Sequence, residues 1–360
     1  MLALHDRGVT ALTDPAAPAS PQRRVMVAGP VVAMVSILAA WVVTNAAGVP
    51  LRDPDHVAGR RLLIVLGLVA VLVGLDLLVR ACRRSGGLRP SREELKRVRR
   101  ERWTLLRGVA VASALVSFYV SYLAYRNLKS VVPLLRPGEL FDRQLAELDR
   151  ILFGGNDPAA LLHAVLGTGL STQVLSASYM LFFIFIPGTL AFALVFSANL
   201  QAGLFYVTAQ SINWLLGAAS YFLLPALGPI YAEPDVFANL PPSGVSRLQD
   251  LLLDQRLEFL RDPAAGAAQS IAAFSSLHVS IFFTAALAAH VLGLRRGLRV
   301  GAWSLLGVTI AATIFLGWHY VVDDFGGLIL GAMAFALARA LTGVDLGAAR
   351  RPSTPNPTPA

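Results

Sequence analysis

Eight separate stretches of this chain, at about 25–47, 61–81, 103–125, 173–197, 202–225, 275–294, 299–317 and 320–342, run close to 20 residues each with few charges. A helix of about 20 apolar residues crosses a hydrocarbon core roughly 30 Å thick, so a chain that repeats such a run eight times has the bilayer as its solvent. Composition agrees: 55% of residues are hydrophobic and 15% charged, against about 25% charged in ordinary soluble domains. The fold this predicts is all-α, a polytopic membrane helix bundle of about eight transmembrane helices. Residues 25–102 hold the first two of these helices and a basic loop, and 103–342 hold the other six. The flanks 1–24 and 343–360 read as disordered cytoplasmic tails. The first apolar run exceeds the 7–15 residues of a signal-peptide core, so it reads as an uncleaved span.

The formal charge of +9 is explained by where the basic residues lie. Between Arg80 and Arg102 ten basic residues face three acidic ones, and Arg23 with Arg24, the Arg295, Arg296 and Arg299 turn, and Arg350 with Arg351 all flank apolar runs. Under the positive-inside rule every one of these clusters falls on the cytoplasmic side of a single topology with both termini inside. No nucleic-acid partner is needed. The long segments 126–172 and 226–274 then face outward, and the second carries six acids against three arginines, the opposite sign. Its length and proline content fit a lid. In the first, Leu140, Leu145, Leu148 and Ile151 recur at helical spacing among charges, as in an interfacial helix capping the bundle. With Cys82 the single cysteine, no intramolecular disulfide forms and no cysteine-based metal site can be built.

That topology brings three polar stretches to the same outer face: Lys129 to Pro137, Phe274 to His278, and His319 to Asp323. Ionisable residues at span ends call for a function. His319 and Asp323 are i and i+4, so a helix sets the carboxylate beneath the imidazole, where it can fix the tautomer and support a nucleophile. His278 follows Ser275 and Ser276, both suited to an N-cap, so backbone N–H groups would face an anion beside a possible general acid. Lys129 and Arg136 add fixed positive charge, the arginine as a planar fork for two phosphate oxygens. Together these parts describe phosphoryl transfer with no metal and no cofactor. His5, His56, His163 and His290 lack such a carboxylate and read as structural, Asp76 with Arg80 as an ordinary i, i+4 pair, and Gly327 with Gly331 as a small-residue helix contact.

The three stretches resemble the signature of the type 2 phosphatidic acid phosphatase superfamily: Lys-x6-Arg-Pro, Pro-Ser-Gly-His, and Ser-Arg-x5-His-x3-Asp. Lys129 to Pro137 matches the first in full. Ser275-Ser276-Leu277-His278 keeps the serine and histidine of the second, and His319 with Asp323 keeps the third, while Ala312-Thr313 stands where the Ser-Arg pair would be. The Ser-Leu-His and His-Tyr-x-x-Asp forms, with Tyr221 to Tyr231, look like the inositolphosphotransferase branch, which includes inositol phosphorylceramide synthases. The resemblance implies that His319 attacks phosphorus to give a phosphohistidine, that Asp323 supports it, that His278 protonates the leaving group, and that Lys129, Arg136 and Ser276 hold phosphate oxygens. It implies a lipid phosphotransferase of the outer leaflet of the plasma membrane, acting on a phospholipid or polyprenyl phosphate with a polyol or water as acceptor. A simple lipid phosphatase is the alternative reading. Thr313 would leave the phosphate grip weaker unless another donor enters. A transporter or non-catalytic scaffold is the remaining class, for which Pro187, Gln210 and Asn213 inside spans are the supporting features.

Overall fold

The computed structural model describes residues 21–53, 59–60, 62–197, 199–264 and 268–349, all helix, turn or coil with no strand among them. The elements are α1 (Pro21–Ala46), α2 (Leu62–Ser85), α3 (Arg92–Arg102), α4 (Leu105–Leu135), α5 (Asp142–Leu152), α6 (Pro158–Leu166), α7 (Leu170–Met180), α8 (Phe182–Val195), α9 (Leu200–Leu223), α10 (Pro229–Ala232), α11 (Gly244–Arg261), α12 (Leu277–Val291), α13 (Arg296–Phe315), α14 (Val321–Thr342) and α15 (Leu346–Ala349). The chain is thus an all-α bundle. Residues 1–20 and 350–360 of the two predicted tails lie outside the described residues, as does His56 between α1 and α2. The expected boundaries shift at both ends, because α1 begins at Pro21 and α15 turns within the segment read as the second tail.

Among the described residues every predicted apolar run is largely helical, and six helices are long and apolar enough to cross a membrane: Arg23–Ala46, Leu62–Ser85, Leu105–Leu135, Leu170–Val195, Arg296–Phe315 and Val321–Thr342. Two runs differ from that standard. The helix Leu277–Val291 is shorter, and α9, though 24 residues long, carries Gln210, Ser211 and Asn213 fully inside the protein. A helix shielded from lipid by its neighbours can hold polar side chains if they are paired, and α9 packs against α1, α4, α8, α12 and α14. Its polar groups bond across helices: Asn213 Nδ2 donates to Thr284 Oγ1 at 2.9 Å, Ser280 Oγ to Asn213 Oδ1 at 2.6 Å, and Gln210 Nε2 to the Ile281 carbonyl at 3.2 Å. Gln210 and Asn213 therefore act as interhelical ties.

Long-range contacts sort the helix termini into two ends. At one end Arg107 of α4 bonds the Leu194 carbonyl of α8, Arg102 reaches Asp76 of α2, and the Arg24 side chain of α1 lies by Gly343 after α14. At the other, Asn127 of α4 bonds the Arg52 backbone, Tyr125 meets Tyr221 of α9, Ser220 of α9 meets Ser275, and Ser276 N donates to the Asp323 carbonyl. All the basic clusters within the described residues share the first end, and the three candidate catalytic stretches share the second. The Asp76 pair is more than an i, i+4 contact: its buried carboxylate also accepts from Arg102 Nε at 2.8 Å and Trp103 Nε1 at 3.2 Å, tying α2 to the start of α4.

Close approach of α12 and α14 depends on Gly327 and Gly331. A Cβ on Gly327 would collide with the Ser276 carbonyl, and one on Gly331 would lie 2.8 Å from the Ser280 carbonyl. Both glycines serve as the small-residue contact expected of them. Gly327→Val should therefore force the helices apart, at a cost of about 1–3 kcal/mol for overpacking. A lowered melting temperature in detergent with loss of activity is the expected outcome, and an unchanged melting curve would count against the contact.

Candidate active site

The second end of the bundle is built around two imidazoles whose ring centroids lie 5.8 Å apart. His278 is the second residue of α12, placed there by its N-cap Ser276, whose hydroxyl accepts from Val279 N. Its ring packs on Phe182 at 4.2 Å and Tyr179 at 4.6 Å. His319 sits in the short turn between α13 and α14, buried, with Trp318 beside it stacked on Tyr179 at 5.4 Å. An aromatic wall therefore backs both rings.

Asp323 lies under His319 as the i, i+4 spacing requires, Nδ1 to Oδ2 being 3.4 Å. The same carboxylate oxygen accepts from Tyr320 N at 3.0 Å and so caps α14. His319 Nδ1 and Asp323 Oδ1 are buried without a hydrogen-bond partner among the described residues; catalytic hydrogen bonds are often long in unliganded enzymes and tighten on the substrate. Burial holds the His319 imidazole well below its ordinary range, at about 4, with the Asp324 carboxylate opposing. The ring is neutral at pH 7 and keeps its lone pair.

The predicted cations divide. Lys129 is buried on α4, which continues ten residues past the expected end of its span, and its ammonium lies 4.9 Å from the Tyr221 ring and 3.3 Å from Tyr125 OH. Arg136, the residue closing α4, instead turns its guanidinium to Glu139 (Nε to Oε2, 2.9 Å) and to the Phe222 carbonyl. It lines a cavity of about 300 Å³ together with Arg256, Pro225 and Ala272. Ser276 is fully buried, its hydroxyl capping α12 and lying beside the Asp324 carboxylate. Among the described residues no three His, Cys, Asp or Glu side chains are grouped to hold a metal ion.

Three acids shape this end without standing out in the sequence. Asp324 accepts from Thr313 Oγ1 at 3.1 Å, so a hydroxyl–carboxylate pair occupies the position compared above with an arginine. Helix α5 is more than a surface cap, because Asp142 and Asp149 point inward and are buried. Asp149 accepts from Val321 N at 2.7 Å and Val322 N at 3.0 Å, holding the first turn of α14; Asp142 accepts from Leu227 N, Gly228 N and Tyr320 OH. Burial raises both carboxyls above the usual range against these hydrogen bonds. Asp142, Leu145 and Asp149 fall at i, i+3 and i+7, one helix face, and that spacing was the available signal. Of the residues expected to be structural, His163 bonds the Phe315 carbonyl at 2.8 Å and packs α6 on α13. The described residues of segment 226–274 form α10, a 3₁₀ turn at Pro234–Phe237 and α11 with connecting coil.

A family model described as PAP2 superfamily matches residues 143–337. The match includes Ser276, His278, His319 and Asp323 and begins after Lys129 and Arg136. No curated protein and no solved structure matches the chain.

If His319 is the nucleophile, its neutral form governs the reaction, and the acid limb of the kcat/KM profile should lie below the ordinary histidine value of about 6.5. A limb at or above that value would contradict the buried, neutral ring. Asp149→Ala should cost about 1–3 kcal/mol by leaving two buried N–H groups unpaired, and should lower kcat more than it raises KM. A melting curve and kinetics equal to those of the unaltered protein would remove Asp149 from the positioning set.

Proposed function

The chain belongs to the PAP2 superfamily, and on the phosphoester chemistry this membership carries we propose that it cleaves or transfers a phosphoester of a membrane lipid through a phosphohistidine on His319. The observation that carries the reading is the pair of imidazoles 5.8 Å apart with a carboxylate 3.4 Å from one of them. Asp323 faces Nδ1, which leaves Nε2 to attack phosphorus. As the P–N bond forms, the ester P–O bond breaks and His278, protonated, gives its proton to the departing alkoxide; an arriving phosphate favours that protonated form. Water or a polyol hydroxyl then attacks phosphorus, His278 takes its proton, and the P–N bond breaks. Lys129 holds the phosphate charge, and Arg136 joins by turning from Glu139. The steps as written use no metal ion.

Head-group transfer of the inositol phosphate type is the finer reading, supported by Ser276-Leu277-His278 and by His319-Tyr320-Val321-Val322-Asp323. Purified protein given a labelled phospholipid donor and candidate polyols should form a new lipid, and His319→Ala should abolish turnover while leaving the fold intact. Release of inorganic phosphate alone would make the protein a phosphatase; full activity of the alanine variant would refute the mechanism.

The bundle is proposed to sit in the plasma membrane with its basic end in the cytoplasm and the site outside. Cys82, the single cysteine, lies at the basic end. An impermeant maleimide should label it only after cells are permeabilised, while Glu139→Cys in a Cys82→Ser background should label on intact cells. The reverse pattern would invert the topology.

A further inference from the structure

A cavity of about 1020 Å³ that no step above uses lies at the basic end of the bundle, a helix length from the imidazoles. Its walls are α8 and α13 and its floor is α9 with the last turns of α12. The α7–α8 pair creates it. These two helices break at Leu181, with Pro187 six residues further on; α7 packs on α13, whereas α8 packs on α9 and α2. The gap left between α8 and α13 is widened by small residues, among them Gly188, Ala288, Gly297 and Gly301. A Cβ on Gly188, Gly297 or Gly301 would meet nothing within 4 Å.

The lining is apolar except at one end. From Phe185 to Ser197 it follows α8 for about 18 Å at 1.5 Å per residue, close to one leaflet of a hydrocarbon core about 30 Å thick. Arg107 lies in the wall at the basic-end mouth of this stretch with Ser197 and Asn199. The guanidinium donates to the Leu194 and Ser197 carbonyls, its Nε is buried without a partner, and no carboxylate pairs with it among the described residues. Arg295, Arg296 and Arg299 flank the lining residues Leu294, Gly297 and Leu298 on the opposite wall. A slot one leaflet long, apolar along its length and cationic at its head, is complementary to a single amphiphile with an anionic head group.

We propose that the groove between α8 and α13 binds an anionic glycerophospholipid of the leaflet at the basic end, with an acyl chain against Gly188 and Gly301 and its phosphate on Arg107. This site is separate from the catalytic one, and does not depend on the reaction proposed for it.

The test uses the full chain in detergent, stripped of lipid and titrated with phosphatidylglycerol or phosphatidylcholine of identical acyl chains, with retained lipid read by native mass spectrometry. One phosphatidylglycerol per chain should be retained with about tenfold preference over phosphatidylcholine. Arg107→Gln should erase the preference and Arg107→Lys keep most of it. Gly188→Phe with Gly301→Phe should lose both lipids; because both sites are open, lipid-free melting should be unchanged, which separates a filled groove from a misfolded chain. Equal retention of the two lipids, or phosphatidylglycerol binding unaltered in the doubly filled variant, would overturn the proposal. A dimer that the filled variant abolishes would give the groove to a second copy, and would overturn it as well.

Discussion

Backbone contact between α12 and α14 is the constraint on which the rest of the active end depends. In a bilayer, lipid tails are as apolar as leucine, so helices associate through close packing and hydrogen bonds more than through expulsion of water. Gly327 lets α14 press on the Ser276 carbonyl, Gly331 lets it press on Ser280, and Ser276 N closes the seam by donating to the Asp323 carbonyl. His278 is the second residue of one helix of this seam and His319 lies two residues before the other. Their separation is thus set by main-chain geometry, which is stiffer than any side-chain contact could make it.

A second set of bonds fixes where α14 begins. The first N–H groups of a helix have no partner inside it, and those of α14 are met by carboxylates from two directions: Asp323 from its own first turn, and Asp149 from α5. Asp142 meanwhile holds both the 227–228 backbone and the Tyr320 hydroxyl. Negative charge at a helix N-terminus is favourable, so these acids stabilise the turn that carries His319. Asp324, paired with Thr313, stands on the far side of the same turn.

The sequence made legible whatever obeys a local period or a charge bias. The eight apolar runs, the sorting of basic clusters to one end, and the i, i+4 relation of His319 to Asp323 follow from helix geometry alone. Placing His278 near His319 required only that both lie at ends facing the same way. What remained hidden depends on partners distant in sequence. Arg136 sits in a motif suited to phosphate, yet its guanidinium is held by Glu139 and the Phe222 carbonyl. Asp76 looked like half of a local pair and proved to bind Arg102 and Trp103 as well. The two inward acids of α5 had a readable spacing, but hydrophobic patterning treats an acid on an apolar face as an interruption, not as a ligand for another helix's N–H groups.

The break at Leu181 connects the two ends of the molecule. Tyr179 and Phe182 back His278 only if α7 leans on α13, since Tyr179 must also stack on Trp318. Below the break, α8 is drawn to α9, where Gly203 has no Cβ and so admits the Ala193 carbonyl. The two contacts fall on either side of Leu181 along the chain, α7 packing on α13 and α8 on α9. Bending α7 away from α8 satisfies both, and the wedge between α8 and α13 is the geometric remainder. The aromatic wall of the catalytic end and the apolar groove of the basic end therefore have one cause, and straightening α7–α8 would disturb the two together.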